Sequence, residues 1–253
     1  MKNSIATAVL ALTIFPASGT PETGASVAIF NGETVDKSVD AFLKKYGARE
    51  DLTEFSVASQ GGEILASIRL AKWIKSKNLD VRVRAMCFSA CANYLFVAGK
   101  AKIIEDGAFV GWHGDAEQKD FREIVKLYTK LLKKRESGGQ LTRAEIIHLK
   151  KHKIHFGGLM KAQRAQAEFY RSVGVNPLVG RFGQEPVNYP SDGWTFTVRA
   201  MKLLGIQNVT AHRNYGDDSY FQTLAVHAAL VNGGPMLVFD SLDGKTITAN
   251  LPF

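Results

Sequence analysis

Two hydrophobic periods alternate along the first half of the chain. The segment SVAIFNGETV, from Ser26, carries an apolar run that stops at Asn31-Gly32 and reads as a strand. In VDKSVDAFLKKYG, the residues Val35, Val39, Phe42 and Leu43 follow a helical repeat that Gly47 closes. EFSVASQGG is a short strand running into a double glycine. In EILASIRLAKWIKSKN, Ile64, Ile68, Ala71 and Ile74 share one helical face, and Leu65 and Leu70 widen it. DVRVRAMCFS alternates Val81, Val83 and Ala85 against Arg82 and Arg84, the period of a strand. ACANYLFVAG reads as a short apolar helix ended by Gly99, and AKIIEDGAFVGWHG as two strands about Asp106-Gly107. Strands that alternate with helices predict an α/β fold on a parallel sheet, whose ligand groups gather at the carboxyl ends of the strands.

From Asp115 to Arg171 the pattern turns helical and charged. FREIVKLYTKLLKKRESGG sets Phe121, Ile124, Val125, Tyr128, Leu131 and Leu132 on one side, and Gly138-Gly139 ends it. LTRAEIIHLKKHKIHFGG and LMKAQRAQAEFYRSVGV read as two further helices, separated at Gly157-Gly158. The segment holds 14 Lys/Arg against 7 Asp/Glu, so it carries nearly all of the net charge of +8. Such charge permits anionic partners. Its acidic residues are interspersed, however, and aromatic side chains are not interleaved for base stacking, so no specific nucleic acid is expected. A solvated helical arm that covers a groove or contacts another subunit fits better. His148, His152 and His155 are spaced by four and three, but no cysteine or carboxylate joins them into a ligand set. They read as solvated helix residues, and neither metal nor other cofactor is expected. Near the C-terminus, MLVFDSLDGKTITANL predicts a hairpin about Asp243-Gly244.

With 45% hydrophobic and 22% charged residues in 253, the chain has the profile of a globular protein. The N-terminus stands apart. Lys2 precedes an apolar run from Ile5 to Phe15, then Pro16 and the small residues Ala17-Ser18-Gly19. The run is too short to span a bilayer and matches a secretory signal cleaved near Gly19. The expected organisation is a signal peptide over 1–19 and a single domain over 20–253. That domain would hold a basic helical insertion at about 115–171 and a C-terminal β-hairpin at about 235–251. Export, to a periplasm or outside the cell, bears on Cys87 and Cys91. Two cysteines are too few for a disulfide framework. In an oxidising compartment they can pair with each other, or both can be small buried residues.

Three short elements fall at strand ends. Ser89 sits at a strand-to-helix junction, where the N–H of Ala90 points outward and can stabilise an oxyanion. Taken alone, a serine there reads equally as an N-cap. Gly61-Gly62, directly after a strand, can leave a backbone N–H exposed as a second donor, or offer an edge to an extended peptide. His113, in VGWHG, follows an apolar strand.

The series SQGG, CFSAC, GWHG resembles the ClpP/crotonase superfamily, meaning the Clp protease proteolytic subunit and signal peptide peptidase-like serine peptidases. The intervals from Gly61 to Ser89 and from Ser89 to His113 are close to the superfamily's spacing. The resemblance covers about Ser26 to Gly114, together with SDGWTFTVRAMKLLGIQNV from Ser191 to Val209. It implies a repeated ββα spiral with a parallel sheet and, here, an added helical arm. It implies Ser89 as nucleophile, His113 as general base, Gly61 and Ala90 as oxyanion donors, and Gly62 in substrate binding. Asp192 matches the third triad position, with Asp115 as the runner-up. The implied protein is an exported serine hydrolase, a peptidase acting on peptides or proteins, with self-association through the arm. The alternative is an inactive scaffold of the same fold that binds peptides or partners. A crotonase-like acyl-CoA role fits export poorly, and a nucleophilic Cys87 or Cys91 is a further alternative. Gln60 stands where the superfamily often has proline, and Cys91 where a small glycine is usual.

Overall fold

The structure is a computed structural model, which describes residues 26–185, 193–217, 219–220, 237–242 and 246–247. The proposed signal peptide, Asp192 and the Asp243-Gly244 turn lie outside the described residues.

The chain forms an α/β fold on a mostly parallel sheet. Strands β1 (Val27–Asn31), β2 (Glu54–Ser59) and β3 (Asp80–Phe88) alternate with helices α1 (Asp36–Tyr46) and α2 (Ile64–Ser76). After a π-helix at Cys91–Phe96 come β4 (Lys102–Ile104) and β5 (Phe109–Gly111). The arm is α3 (Lys119–Glu136) and α4 (Arg143–Val173), followed by 3-10 turns at Pro177–Gly180 and Phe182–Gln184. Next are β6 (Trp194–Phe196), α5 (Val198–Leu203), β7 (Val209–Thr210), β8 (Leu237–Phe239) and β9 (Thr246–Ile247). The main sheet has the order β1-β2-β3-β4-β7, with β5 paired to the end of β3, and all its pairings are parallel. A second sheet, β6-β8-β9, meets it through an antiparallel bridge between Trp112 and Trp194. Among the described residues no helix is long and apolar enough to cross a membrane.

Alternation in the sequence decides the packing of the sheet. Phe55, Val57, Val81 and Val83 are fully buried and form one core with Val39 and Phe42 of α1 and Ile68, Ala71 and Ile74 of α2. Each such side chain contributes roughly 1.5–3 kcal/mol by leaving water. Register then carries the end of β3 away from that layer. Val57 pairs with Val83, but Ser59 pairs with Cys87, so β3 bulges between them. Beyond the bulge Met86, Cys87 and Phe88 pair with β5 instead of β4. A bulge next to a strand end re-aims the residues that follow it. Here those residues are Ser89 and Ala90.

One local reading needs correction. Gly157-Gly158 does not divide the basic segment: α4 is one helix of 31 residues. Its start has a full capping box, with Thr142 and Glu145 each accepting the other's backbone N–H. It ends at Gly174, in the left-handed conformation. The glycine pair is exposed mid-helix, where each costs about 1 kcal/mol of propensity and leaves the hydrogen-bond ladder intact. ACANYLFVAG is helical, as its pattern predicts, and over Cys91–Phe96 it winds as a π-helix. All six π-helical residues are buried, so packing on every side holds the wider turn.

Candidate active site

Ser89 stands where β3 turns into the π-helix, with φ of 58°. For a serine this left-handed conformation costs about 1–2 kcal/mol, so the surroundings must hold it. The Ser89 N–H donates to the Gly111 carbonyl at 3.0 Å, and the Ser89 carbonyl accepts from the Asn93 N–H at 2.9 Å. Cys87 and Cys91 are joined by a disulfide that spans the same turn, and both are fully buried. Of the two readings left open for these cysteines, the structure therefore has the pair.

The elbow turns the Ser89 hydroxyl toward His113, which follows β5. Ser89 Oγ lies 2.7 Å from His113 Nε2. Both residues are half-buried, within a rim of buried neighbours. The Phe88 ring stacks on the imidazole at 5.2 Å between centroids and 14° between planes. The neighbouring backbone is fastened at two points. Gln184 Nε2 donates to the His113 carbonyl at 2.9 Å, and Asn93 Nδ2 donates to the Gly114 carbonyl at 2.7 Å.

The double glycine lies against Ser89, though in a different way from that expected. Gly61 has φ of 94°, and a Cβ there would sit 2.6 Å from the Phe88 carbonyl oxygen and 2.7 Å from the Ala90 nitrogen. Any larger residue therefore displaces the elbow. The resemblance implies the Gly61 N–H as an oxyanion donor. That N–H instead donates to Ser59 Oγ at 3.1 Å. Gly62 is held differently. Thr34 donates to the Gly61 carbonyl at 2.8 Å and accepts from the Glu63 N–H at 2.9 Å, an isolated bridge to one side of Gly62. The Gly62 N–H takes no part in this bridge. No described residue accepts from the N–H of Gly62 or of Ala90.

Asp115, the runner-up for the third position, is not bonded to His113. Its carboxylate accepts from the Glu117 N–H at 2.7 Å and from Gln166 Nε2 at 2.9 Å. It is 3% exposed, and burial pushes its pKa up to about 6. Gln166 Oε1 accepts in turn from the Tyr94 hydroxyl at 2.6 Å and the Ala116 N–H at 3.1 Å. Burial, reinforced by the nearby Asp115 charge, raises the Tyr94 and Tyr170 pKa well above the usual phenol value, so both remain donors. This polar network roots α4 beneath the turn that carries His113.

Asn93, Gln184 and Gln166 do not stand out in the sequence pattern as site residues. Gln166 and Gln184 lie far along the chain from His113, with nothing local to mark them. Asn93 has a signal: an amide in the otherwise apolar run ACANYLFVAG must find buried partners.

No protein-family model matches the chain, and no curated protein matches it. Among solved structures it is similar to a mutant of ClpP1 from Listeria monocytogenes. That similarity has a TM-score of 0.41 and 16% identity, and covers 74% of this chain and 92% of that one.

Proposed function

We propose that the protein is an exported serine hydrolase that cleaves peptide bonds through an acyl-enzyme on Ser89. The observation that carries this reading is the 2.7 Å contact between Ser89 Oγ and His113 Nε2, at the meeting of two strand ends. A hydroxyl so placed can pass its proton to the imidazole as its oxygen attacks a carbonyl. The N–H groups of Ala90, next in the chain to Ser89, and of Gly62, next to the Gly61 that packs on Ser89, would receive the oxyanion, since neither has a described acceptor. His113 then returns the proton to the leaving amine, and water releases the acyl group by the same steps in reverse. Asp192 is assigned to orient His113, from its place in the motif PSDGW. Peptide as the substrate class rests on the resemblance of SQGG, CFSAC and GWHG to the ClpP-like serine peptidases.

Export rests on the apolar N-terminal run and on the Cys87–Cys91 disulfide, a bond that persists in oxidising compartments.

A fluorophosphonate probe tests the nucleophile. The wild type should be labelled at Ser89 and Ser89→Ala should not. In His113→Ala the labelling rate should fall about 10²–10⁴-fold, the usual weight of a general base. Labelling that persists in Ser89→Ala removes the assignment. A wild type that stays unlabelled while binding peptides favours the inactive scaffold.

A further inference from the structure

The main chain that carries His113 is gripped from two directions. Asn93 sits in the π-helix that starts at the Ser89 elbow, 2% exposed. Its Nδ2 donates to the Gly114 carbonyl at 2.7 Å, and its Oδ1 accepts from the Tyr170 hydroxyl of α4 at 3.4 Å. Gln184, in the last 3-10 turn, donates from Nε2 to the His113 carbonyl at 2.9 Å, and its Oε1 accepts from the Lys119 N–H that opens α3 at 3.1 Å. Two adjacent carbonyls, at His113 and Gly114, thus take one amide each. Each amide is itself fixed by a foot of the helical arm, Asn93 by the end of α4 and Gln184 by the start of α3. Gly114 has no side chain with which to anchor this turn itself.

We propose that Asn93 and Gln184 are positioning residues that together hold His113 at hydrogen-bond distance from Ser89. This inference rests on the reading of Ser89 and His113 as nucleophile and base. Asn93 has a particular place in it. Its N–H bonds the Ser89 carbonyl while its side chain bonds the loop of the base, so one residue ties both reacting groups. Asn93 is the third residue of the π-helix, and its bond to Ser89 closes the first turn after the elbow, so backbone and amide reach the two strand ends together. A base displaced by about 1 Å can cost on the order of 100-fold in rate, so a rigid clamp matters more for chemistry than for stability.

Isosteric exchanges test the clamp. Asn93→Asp and Gln184→Glu each keep the acceptor oxygen, for Tyr170 and Lys119, and delete the donor. Gln184→Met deletes it without adding charge. The measurement is fluorophosphonate inactivation of the full, oxidised protein, resolved into the maximal rate (kinact) and the probe affinity (KI), both per folded molecule, alongside the thermal midpoint. The expected result is a fall of about 10-fold or more in kinact for each variant, with KI unchanged. A purely structural amide would lower the thermal midpoint and leave kinact where it was, and that outcome overturns the proposal. If Asn93→Asp does not fold, the two Gln184 variants, at a partly exposed site, decide the matter alone. Loss of labelling in Ser89→Ala and its weakening in His113→Ala are read first. If those controls hold and the clamp variants match wild type, the clamp is wrong and the nucleophile stands. A wild type that is not labelled at Ser89 overturns both.

Discussion

In the sheet, Phe55, Val57, Val81 and Val83 are sealed between layers. In the arm, Tyr128, Leu131 and Leu149 form a small separate cluster, while Leu127 and Ile147 are 43% and 56% exposed. Helix α4 belongs to both regions. Its far half packs on α3 and is tied at the tip by a 2.9 Å ion pair from Lys134 to Glu145. Its near half places Phe169 and Tyr170 in the main core, fully buried. Along that near half, the contacts with the loop that carries His113 are polar. Gln163 reaches the Ala116 carbonyl at 2.9 Å, Gln166 holds Asp115, and Tyr170 touches Asn93. The comparison teaches that apolar burial holds the sheet, whereas directional hydrogen bonds join the arm's root to the site. Burial tolerates small shifts; hydrogen bonds of this kind set positions.

Four changes would break or sharpen that contrast. The largest effect belongs to the sheet. Phe55→Ala should cost about 3–5 kcal/mol and lower the main unfolding transition in chemical denaturation, with Ser89 labelling lost in the same transition. Should the variant unfold like wild type, the sheet would not be the cooperative core.

Asp115, at the joint, comes next. Its folded pKa of about 6 lies above the ordinary carboxyl value of 3.8, so the folded state binds the proton more tightly than the unfolded chain. That contribution is full below the ordinary carboxyl value and is lost as pH rises through the folded one. Relative to Asp115→Asn, the wild type should therefore lose up to about 3 kcal/mol across that window. Denaturation midpoints measured across the window check it, and parallel curves for the two proteins would show that Asp115 does not titrate there.

The disulfide follows. Its loop is short, so the chain-entropy view gives about 2 kcal/mol for its loss. In Cys87→Ala/Cys91→Ala the labelling rate should fall further than stability alone explains, because nothing else crosses the Ser89 turn covalently. Labelling equal to wild type per folded molecule would show that hydrogen bonds suffice to hold Ser89 in its left-handed conformation.

The smallest global effect is expected in the arm. Leu131→Ala should raise amide hydrogen exchange across α3 and the first half of α4 while moving the main transition by under about 1 kcal/mol. Equal loosening of β2 and β3 would mean that arm and sheet form one cooperative unit.

The order of elements was legible because periodicity records burial. Val81 and Val83 alternate with Arg82 and Arg84, and the fold buries the first pair fully. The site was half legible. Ser89, His113 and the double glycine lie at strand ends, where a parallel sheet collects them. Which glycine N–H is left without a described acceptor was not, because it depends on the Ser59 side chain and on a bridge from Thr34, on the far side of α1 and β2 in the chain. The unbroken α4 was missed because capping at Thr142 and packing at Phe169 outweigh two helical glycines.

Local chemistry along the chain thus determines where strands and helices fall and which residue types stand at the strand ends. Tertiary structure alone decides distance and direction. The 2.7 Å approach of Ser89 to His113 requires the bulge in β3, the pairing of its end with β5 and the amides of Asn93 and Gln184. None of these has a local signature of its position, because each depends on where a distant segment comes to rest. A period in the sequence can say that a side chain is buried, but not which carbonyl it will find there.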